Sequence, residues 1–307
     1  MSDRIHLVVP NLNGATYLPA TLESLNSQGA EHLCWWLQDG ASGDESVAIA
    51  RSLAREGIDR IHSEKDSGQS AAINAGLRGC GGGIIGYLNS DDELLSGAAQ
   101  AILETFTEHP EADVVVGGVQ YIDAEGRPTG KEHFGDLRSL SDALDVYRCW
   151  FAGKQWVQPE VFFRRRLLDR IHGTEGFDES MHYAFDYDFW VRAFRADAVV
   201  VRLPRLLARF RLHDAQKSAD AEAASKEVRE AARRHLDECW DTLPKVRRHL
   251  IAARLDYDAW ARGETNEANR SFSAMLLRHP LWLLDPWVRR RVLASLKKSH
   301  PSTSALW

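Results

Sequence analysis

The sequence predicts an α/β protein with a mostly parallel, twisted sheet that carries helices on both faces, followed by a helical C-terminal extension. Short apolar runs alternate with segments of helical apolar spacing from Ile5 to about Gly117. Such alternation is typical of parallel strands joined by helical crossovers. From Ala219 onward the pattern is helical, with breaks near Pro244 and Gly263. The length of 307 residues allows one large domain or two smaller ones.

The elements of the first part follow from apolar runs and their flanking residues. Strands are predicted where short apolar runs are bounded by turn residues, at Ile5–Val9, Leu33–Leu37, Gly83–Leu88 and Asp113–Gly117, and a further short strand is predicted at Arg60–Ser63. Helices are predicted where Leu, Ile or Ala recur every three or four positions, at Thr16–Gln28, Ser46–Glu56, Gln69–Arg78 and Ser96–Glu108. A hairpin is expected over Gln120–Thr129, with its turn at 124–127.

After Gly130 the regular alternation ends. The predicted elements there are a strand at Val157–Phe163, a helix at Asp186–Arg195, and two strands at Val199–Leu203 and Leu207–Arg211. The predicted division is therefore a first domain over 1–218, with halves at 1–118 and 119–218, and an extension over 219–307.

Composition and charge exclude several classes of protein. The chain has 38 basic and 44 acidic side chains and a formal net charge of −6, which is −11 over 1–215 and +5 over 216–307. An acidic first part argues against nucleic-acid binding, which needs clustered Lys and Arg.

The four cysteines lie far apart and form no CxxC pair, which fits a reducing compartment. No apolar run approaches the ~20 residues of a membrane span, and we expect a cytoplasmic protein.

Polar side chains follow each of the first four predicted strands. They are Asn11 and Asn13, then Asp39, then Glu64 and Asp66, and finally residues 89–93, Asn-Ser-Asp-Asp-Glu. Ligands of open parallel sheets bind beyond the carboxyl ends of the strands. Loop carboxylates often serve only as turn residues or helix caps. Their repetition after successive strands favours a binding site at this edge.

Two adjacent carboxylates, Asp91 and Asp92, directly follow a buried strand. Their mutual repulsion would be relieved by a hard cation such as Mg²⁺ or Mn²⁺, which could bind a diphosphate at the same time. The alternative is that one of them caps the next helix. The glycine cluster at 79–83 follows a helix and precedes a strand, the reverse of a pyrophosphate-binding loop, so it predicts a helix end.

Seven segments in order resemble the family-2 glycosyltransferases. They are VVPNLNG (8–14), LQDGASGDES (37–46), SEKDSGQSAAINAGL (63–77), GYLNSDDELL (86–95), HPEADVVVGG (109–118), WVQPEVFFRR (156–165), and the stretch from FDES to FDYDFWVR (177–192). The resemblance spans about residues 5–213. It implies the type A glycosyltransferase fold, with a Rossmann-like nucleotide-sugar-binding half over 1–118 and an acceptor and catalytic-base half over 119–218.

The resemblance also implies a role for each matching residue. Pro10, Asn11 and Asp39 are expected at the base and ribose, and Asp91 at the ribose. Asp66, Gly68, Gln69 and Asn74 are expected along the nucleotide. Asp92 and His213 are expected to bind the divalent metal, Mn²⁺ or Mg²⁺, with help from Lys217. Asp186 matches the catalytic base.

The implied reaction is an inverting transfer of a sugar from a nucleotide donor, a UDP-sugar first, to a hydroxyl of a glycan or lipid-linked glycan. A carboxylate takes the acceptor proton, and a metal neutralises the leaving diphosphate. Two positions depart from the family pattern: Leu12 replaces an aromatic residue, and Phe185 replaces an acidic residue before the base. Asp188 is therefore an alternative base, although its position also fits a carboxylate at a helix start.

Alternatives remain open for the function and for the extension. The alternatives to transfer are a non-catalytic nucleotide-sugar-binding protein and a sugar nucleotidyltransferase on a related fold. Residues 281–298 read as a basic amphipathic helix that would lie on the inner face of an anionic membrane. The other interpretation is a helical cap that packs on the catalytic domain or on a partner in a homodimer.

Overall fold

The computed structural model describes residues 4–171, 176–217, 220–264, 277 and 285–291. Its strands are β1 (Ile5–Asn11), β2 (Leu33–Asp39), β3 (Arg60–Ser63), β4 (Ile84–Tyr87), β5 (Glu93–Leu94), β6 (Val114–Ile122), β7 (Pro128–Phe134), β8 (Val161–Arg164) and β9 (Val200–Arg211). Its α-helices are α1 (Leu18–Asn26), α2 (Ser46–Leu53), α3 (Gln69–Gly79), α4 (Ala98–Glu108), α5 (Leu140–Leu144), α6 (Arg166–Arg170), α7 (Phe185–Arg195), α8 (Ala221–Glu238) and α9 (Lys245–Ala261).

The strands of the described residues form one sheet in the order β3-β2-β1-β4-β8-β6-β9-β5, with β7 paired to β6. The first four are mutually parallel, since α1, α2 and α3 return the chain to the same edge each time. Beyond them β8 runs antiparallel to β4 and β6, while β9 is parallel to β6. The predicted α/β class with its C-terminal helices is confirmed, and the parallel pairing is concentrated in the first half.

Strands β1, β2 and β4 are buried on both faces of the sheet, and successive side chains of each strand point to opposite faces. Leu7 and Val9 of β1 lie in one hydrophobic cluster and Val8 lies in the other. Phe162 and Phe163 of β8 divide in the same way. Helices must therefore cover each face, as the near-continuous apolar character of the strands predicts.

Two predicted strands after residue 198 form the single strand β9. Pro204 lacks the N–H that a regular ladder requires, and this is why the sequence indicates a break there. The register between β6 and β9 shifts between Val116 and Gly118, where Leu206 replaces the expected partner, so the irregularity absorbs the proline. The predicted strand Val157–Phe163 instead begins with a 3₁₀ turn at Gln158–Glu160, and β8 follows it.

The C-terminal helices share the core of the first part. Leu236 of α8 and Leu255 of α9 belong to the same buried cluster as Trp190 of α7. Of the described helices, none combines the length and apolar character that crossing a membrane requires. The boundary at residue 218 stays a prediction, because the core is continuous across it.

Part of the basic amphipathic segment predicted at 281–298 lies within the described residues. Over 285–291, Val288 is buried against Ala253 and Tyr257 of α9, and Asp285 pairs with the buried Arg254. The apolar side chains of this stretch therefore pack on the protein, while residues 289–291, all arginines, are exposed. The rest of the segment, with Lys297 and Lys298, lies outside the described residues.

Candidate active site

The carboxyl ends of β1, β2 and β3 bring three polar side chains into register. Asn11 pairs with Asp39, and Asp39 pairs with Ser63, each at the last position of its strand. The Asn11 amide donates to Oδ1 of Asp39 over 2.7 Å, and the Ser63 hydroxyl donates to Oδ2 over 2.6 Å. The parallel register thus assembles the polar edge that the sequence predicts. Pro10, also predicted at the base, is buried beside it in β1.

Asp39 is fully buried, and protein donors surround its carboxylate. The backbone N–H of Ser42 donates to Oδ2 over 3.0 Å, and the Ser42 hydroxyl donates to Oδ1. Burial by itself raises the pKa of Asp39, but the hydrogen bonds from Ser42 and Ser63 outweigh it and hold the pKa below its usual value. Asp39 is therefore an ionised anchor that fixes the loop after β2.

Asp66 lies next to this loop, and its pKa is shifted in the direction opposite to that of Asp39. Burial and the nearby charge of Asp39 raise the pKa of Asp66, although the N–H of Gly68 donates to it over 3.0 Å. A Cβ added at Gly40 would lie 3.0 Å from Oδ2 of Asp66 and 3.4 Å from Leu12. A side chain at position 40 would therefore crowd the Asp66 carboxylate and the exposed Leu12 side chain, which both approach Gly40.

A chain of amides and one cation connects helix α3 to the rest of the edge. Gly68 starts the helix at φ +141°, a conformation that L side chains rarely adopt. The Gln69 side chain donates to the Asn89 amide over 2.7 Å, and the Lys217 ammonium donates to Gln69 over 3.3 Å. Gln69 thus lies between the residues after β4 and those after β9.

Asn74 lies on the same helix, but its amide is occupied. Its Nδ2 donates to the carbonyl of Phe177 over 2.8 Å and to Glu179 over 3.0 Å, and its Oδ1 accepts the N–H of Phe177 over 2.8 Å. Asn74 therefore attaches α3 to the segment that leads into α7. Its predicted contact with the nucleotide stays a prediction.

Asp91 and Asp92 differ sharply in environment. Oδ2 of Asp91 lies 2.9 Å from Nε2 of His213, which follows β9, and the Asp91 side chain is 26% exposed. Asp92 is 1% exposed, and its Oδ1 accepts the N–H of Arg211 over 2.9 Å. Its Oδ2 is buried with no hydrogen-bond partner. Burial and the charge of Asp91 raise the pKa of Asp92 well above its usual value.

This arrangement fits a divalent cation that shares its coordination with a ligand. A cation beside Asp91 would neutralise the charge that disfavours the ionised form of Asp92. Within the described part of the chain, no three His, Cys, Asp or Glu side chains form a complete cage. Mg²⁺ commonly takes only one or two carboxylates from the protein and completes its shell with water and phosphate oxygens.

Asp186 lies in the first turn of α7 and is partly exposed. Burial raises the pKa of Asp186 to about 6, against the opposing hydrogen bond from the N–H of Tyr187 and the charge of Lys217. The pKa of the buried Tyr87 hydroxyl is raised by its own burial and by the charges of Asp186 and Asp92. Tyr87 therefore lies within electrostatic reach of both carboxylates.

Asp188 is engaged elsewhere. Its carboxylate accepts from Arg192 over 2.7 Å, from Arg234 over 2.7 Å, and lies 2.8 Å from Nε2 of His235. Burial raises the pKa of Asp188, but the hydrogen bond from His235 and the charge of Arg192 outweigh burial and bring this pKa to about 2. A carboxylate with these partners and this pKa is a poor proton acceptor, so Asp186 is the better candidate for the base.

The sequence reasoning missed several supporting side chains. Ser42 and Ser63 fix Asp39, and Arg211 stacks 4.9 Å from the ring of Tyr17 while its guanidinium donates to the carbonyl of Asp91 over 2.8 Å. The position of Ser42, three residues after Asp39, could have predicted a hydrogen bond between them from the sequence alone. The contacts of Arg211 join distant segments and leave no local pattern.

Known proteins resemble this chain in sequence. Residues 6–177 match the model of glycosyl transferase family 2. The chain is 30% identical over 200 residues to a PGL/p-HBAD biosynthesis glycosyltransferase of Mycobacterium bovis (strain BCG / Pasteur 1173P2), covering 64% of this chain and 72% of the relative.

Two solved structures show the same fold at low sequence identity. One is S. aureus TarS 1-349 in complex with UDP-GlcNAc, with a TM-score of 0.63 and 18% identity, covering 84% of this chain and 73% of that one. The longer TarS chain is matched over 43% of its length. The other is the mannosyltransferase PcManGT of Pyrobaculum calidifontis with GDP-Man and Mn²⁺, with a TM-score of 0.56 and 16% identity, covering 94% and 83%.

The family match covers more than half of the 307 residues and contains the polar edge from Asn11 to Asp92. The type A fold that the seven segments imply is confirmed by these structural neighbours. The chain therefore belongs to glycosyl transferase family 2 and is a glycosyltransferase.

Proposed function

We propose that this protein transfers a sugar, with inversion, from a UDP-sugar to a hydroxyl of a glycan or lipid-linked glycan acceptor. Asp186 is the general base, and a divalent metal, Mn²⁺ or Mg²⁺, neutralises the diphosphate. The observation that carries the proposal is one site with two carboxylate environments. The charges of Asp186, with a pKa of about 6, and of Asp92, beside the Asp91–His213 pair, both raise the pKa of the buried Tyr87 hydroxyl.

The inverting course is supported by the number of free carboxylates. An inverting transfer needs one base that takes the acceptor proton while the hydroxyl attacks the anomeric carbon from the face opposite the leaving group. A pKa near the operating pH suits that task, and Asp186 has one. A double displacement would need a second carboxylate beside the sugar as nucleophile. The neighbouring Asp188 is occupied by Arg192, Arg234 and His235.

Asp91 and His213 are the better-exposed metal ligands, and Asp92 supports them. When bound, the metal supplies Lewis-acid stabilisation of the leaving nucleoside diphosphate. Asp92 was predicted as the ligand and Asp91 as the ribose contact. The greater exposure of Asp91 and its contact with His213 favour Asp91 at the cation, with the buried Asp92 oxygen adding charge behind it. Lys217 adds a positive charge on the side of Gln69.

The nucleotide is proposed to bind over the ends of β1 to β3. Pro10, Asn11 and Asp39 would line the base, with Leu12 as the exposed apolar wall and Asp66 beside it. A UDP donor is favoured by the UDP-GlcNAc complex of the TarS neighbour, and a divalent metal by the Mn²⁺ complex of PcManGT. An acceptor on a lipid-linked glycan would fit a peripheral position at the membrane, and the mycobacterial relative acts in PGL/p-HBAD biosynthesis.

The experiment is thermal stabilisation by UDP, GDP, CMP, dTDP and ADP, each with and without Mn²⁺. A ligand that binds only the native state raises the melting temperature by mass action. We expect a manganese-dependent rise with UDP that is absent in Asp91→Asn and Asp92→Ala and retained in His109→Ala, an exposed histidine paired only with Glu111. No rise with any nucleotide would contradict the proposal, and a metal-independent rise would contradict its metal.

A further inference from the structure

Helix α7 begins without a capping side chain of its own. Its N-cap residue is Ala184, and no side-chain hydrogen bond is made there. Alanine is among the poor N-cap residues because it offers no acceptor to the free N–H groups of a helix start. The turn that leads into α7 therefore needs an acceptor from another part of the chain.

Glu227 of α8 supplies that acceptor. Its Oε1 accepts the N–H of His182 over 2.8 Å, and its Oε2 accepts the N–H groups of Tyr183 and Ala184, each over 2.5 Å. Three consecutive backbone donors thus converge on one carboxylate, 43 to 45 positions later in the chain. Hydrogen bonds to an ionised acceptor are the stronger kind.

The turn that Glu227 holds ends two residues before Asp186. A base must lie within hydrogen-bond reach of the acceptor hydroxyl, and small displacements are costly in rate. Within the part of the chain that the structure describes, no side chain donates a hydrogen bond to the Asp186 carboxylate, which accepts the N–H of Tyr187. Its position therefore depends on the path of the backbone that enters α7.

We infer that Glu227 is a positioning residue for the general base: it fixes the turn before α7 and thereby the location of the Asp186 carboxylate. This inference rests on the proposed function. It gives a role in the reaction to helix α8, which lies beyond residues 6–177 of the family match.

The charges around Asp186 give the inference a second readout. The titratable groups that face Asp186 are Lys217, Glu227 and the Tyr87 hydroxyl. Burial raises the pKa of Asp186 and the charge of Glu227 raises it further, whereas Lys217 lowers it. Removing the charge of Glu227 removes one of the two effects that raise the pKa of Asp186, while the lowering effect of Lys217 remains. The pKa of Asp186 is therefore expected to fall.

The test compares Glu227→Ala and Glu227→Gln with matched changes at Glu230. Glu230 lies on the same helix, is exposed, and pairs only at the surface with Lys226. The assay is release of UDP from UDP-GlcNAc with Mn²⁺, in which water serves as acceptor. Because the lost interaction acts on the base, we expect kcat to fall about 10- to 100-fold in Glu227→Ala with KM for the donor unchanged.

Two further results are expected of the same variants. Glu227→Gln retains one acceptor oxygen, so its loss is smaller, and the acidic limb of its kcat profile moves to lower pH. The amides of residues 182–184 exchange with deuterium faster in Glu227→Ala than in wild type or Glu230→Ala, because their acceptor is gone.

The outcomes separate the two proposals. If wild type turns over and both Glu227 variants keep the wild-type kcat and pH limb, the positioning role is wrong and the proposed function stands. An equal loss of kcat in the Glu230 variants would also overturn the positioning role, because any change of charge on α8 would then be enough to lower kcat. Wild type without turnover of any nucleotide sugar would overturn the proposed function, and the inference with it.

Discussion

The imidazole of His213 lies 2.9 Å from the carboxylate of Asp91, although 122 positions separate them in the chain. The contact joins the residues after β9 to those after β4, and the Tyr17 ring, 4.7 Å from that of His213, adds the start of α1. Three segments that share no local sequence pattern therefore meet around His213. The family match ends at residue 177, so the segment after β9 adds to the matched region a histidine that contacts Asp91.

His213→Ala is expected to weaken Mn²⁺ binding in the presence of UDP. Loss of a group that ligates or orients a metal ligand typically costs about 10- to 100-fold in affinity. Titration calorimetry of Mn²⁺ into the UDP-saturated protein measures it, with His109→Ala as the matched control. An unchanged Mn²⁺ affinity in His213→Ala would exclude a role for this histidine at the metal.

The pH profile of kcat is expected to have an acidic limb near the pKa of Asp186, about 6. The base works only when deprotonated, so activity is present above this pKa and is lost as the pH falls through it. Lys217 lowers the pKa of Asp186, and Lys217→Met should therefore move the limb to higher pH. Initial rates between about pH 3.5 and 8 decide the question, because this range includes both the ordinary pKa of an aspartate and the raised one. A wild-type limb near the ordinary value for aspartate, or a downward shift in Lys217→Met, would contradict the assignment.

The order of strands and helices in the first part was predictable because each element carries its own pattern. Strands β1, β2 and β4 are buried on both faces and read as apolar runs, whereas β3 is short and mostly exposed. Helices α1 to α4 show helical spacing. The single strand β9 was not predictable. Pro204 normally ends a strand, and only the irregular register opposite Gly118 accommodates it.

The polar edge was predictable for a different reason, and its limits are equally physical. Parallel strands bring their carboxyl ends together, so Asn11 and Asp39 had to be neighbours. What remained hidden is which polar atoms are already bonded. Asn74 bonds Phe177, 103 positions away, and Asp188 bonds His235, 47 positions away. Hydrogen bonds over such separations depend on helix packing and leave no spacing to detect.

Asp186→Asn is expected to lose activity and to gain stability at neutral pH. Removing a general base costs about 10² to 10⁴ in kcat. The folded pKa of about 6 exceeds the ordinary value of 3.8, so ionisation of Asp186 opposes folding. Stability is thus lost as the pH rises from about 4 to 6, by up to about 3 kcal/mol.

The control for this variant is Asp237→Asn, an exposed position on α8. Urea unfolding at pH 4 and pH 7, together with UDP release, measures both effects. A gain that appears at pH 7 and vanishes at pH 4 is the expected signature. Full turnover in Asp186→Asn with UDP binding intact would exclude Asp186 as the base and favour a different carboxylate. Absence of turnover in the wild type, with UDP binding intact, would favour a non-catalytic binding protein.

Asp188→Asn, only two positions away, is expected to behave in the opposite way. Asp188 is 2% exposed and neutralises Arg192 and Arg234 at the contact between α7 and α8. Removing one partner of a buried charge cluster costs about 3 kcal/mol or more, because the remaining charges stay buried. The folded pKa of about 2 lies below 3.8, so this contribution is present above about pH 4 and is lost as the pH falls toward 2.

Urea unfolding of Asp188→Asn at pH 7 should therefore show a lower midpoint with an unchanged m-value, and the difference from wild type should shrink toward pH 3. The cluster holds α7 against α8 and includes none of the residues proposed to bind the nucleotide. The variant that remains folded should therefore still bind UDP. Asp237→Asn again serves as the control, since it removes an exposed carboxylate from α8, the helix that packs on α7. A wild-type midpoint in Asp188→Asn would mean that the cluster contributes little, and that Glu227 alone aligns the two helices.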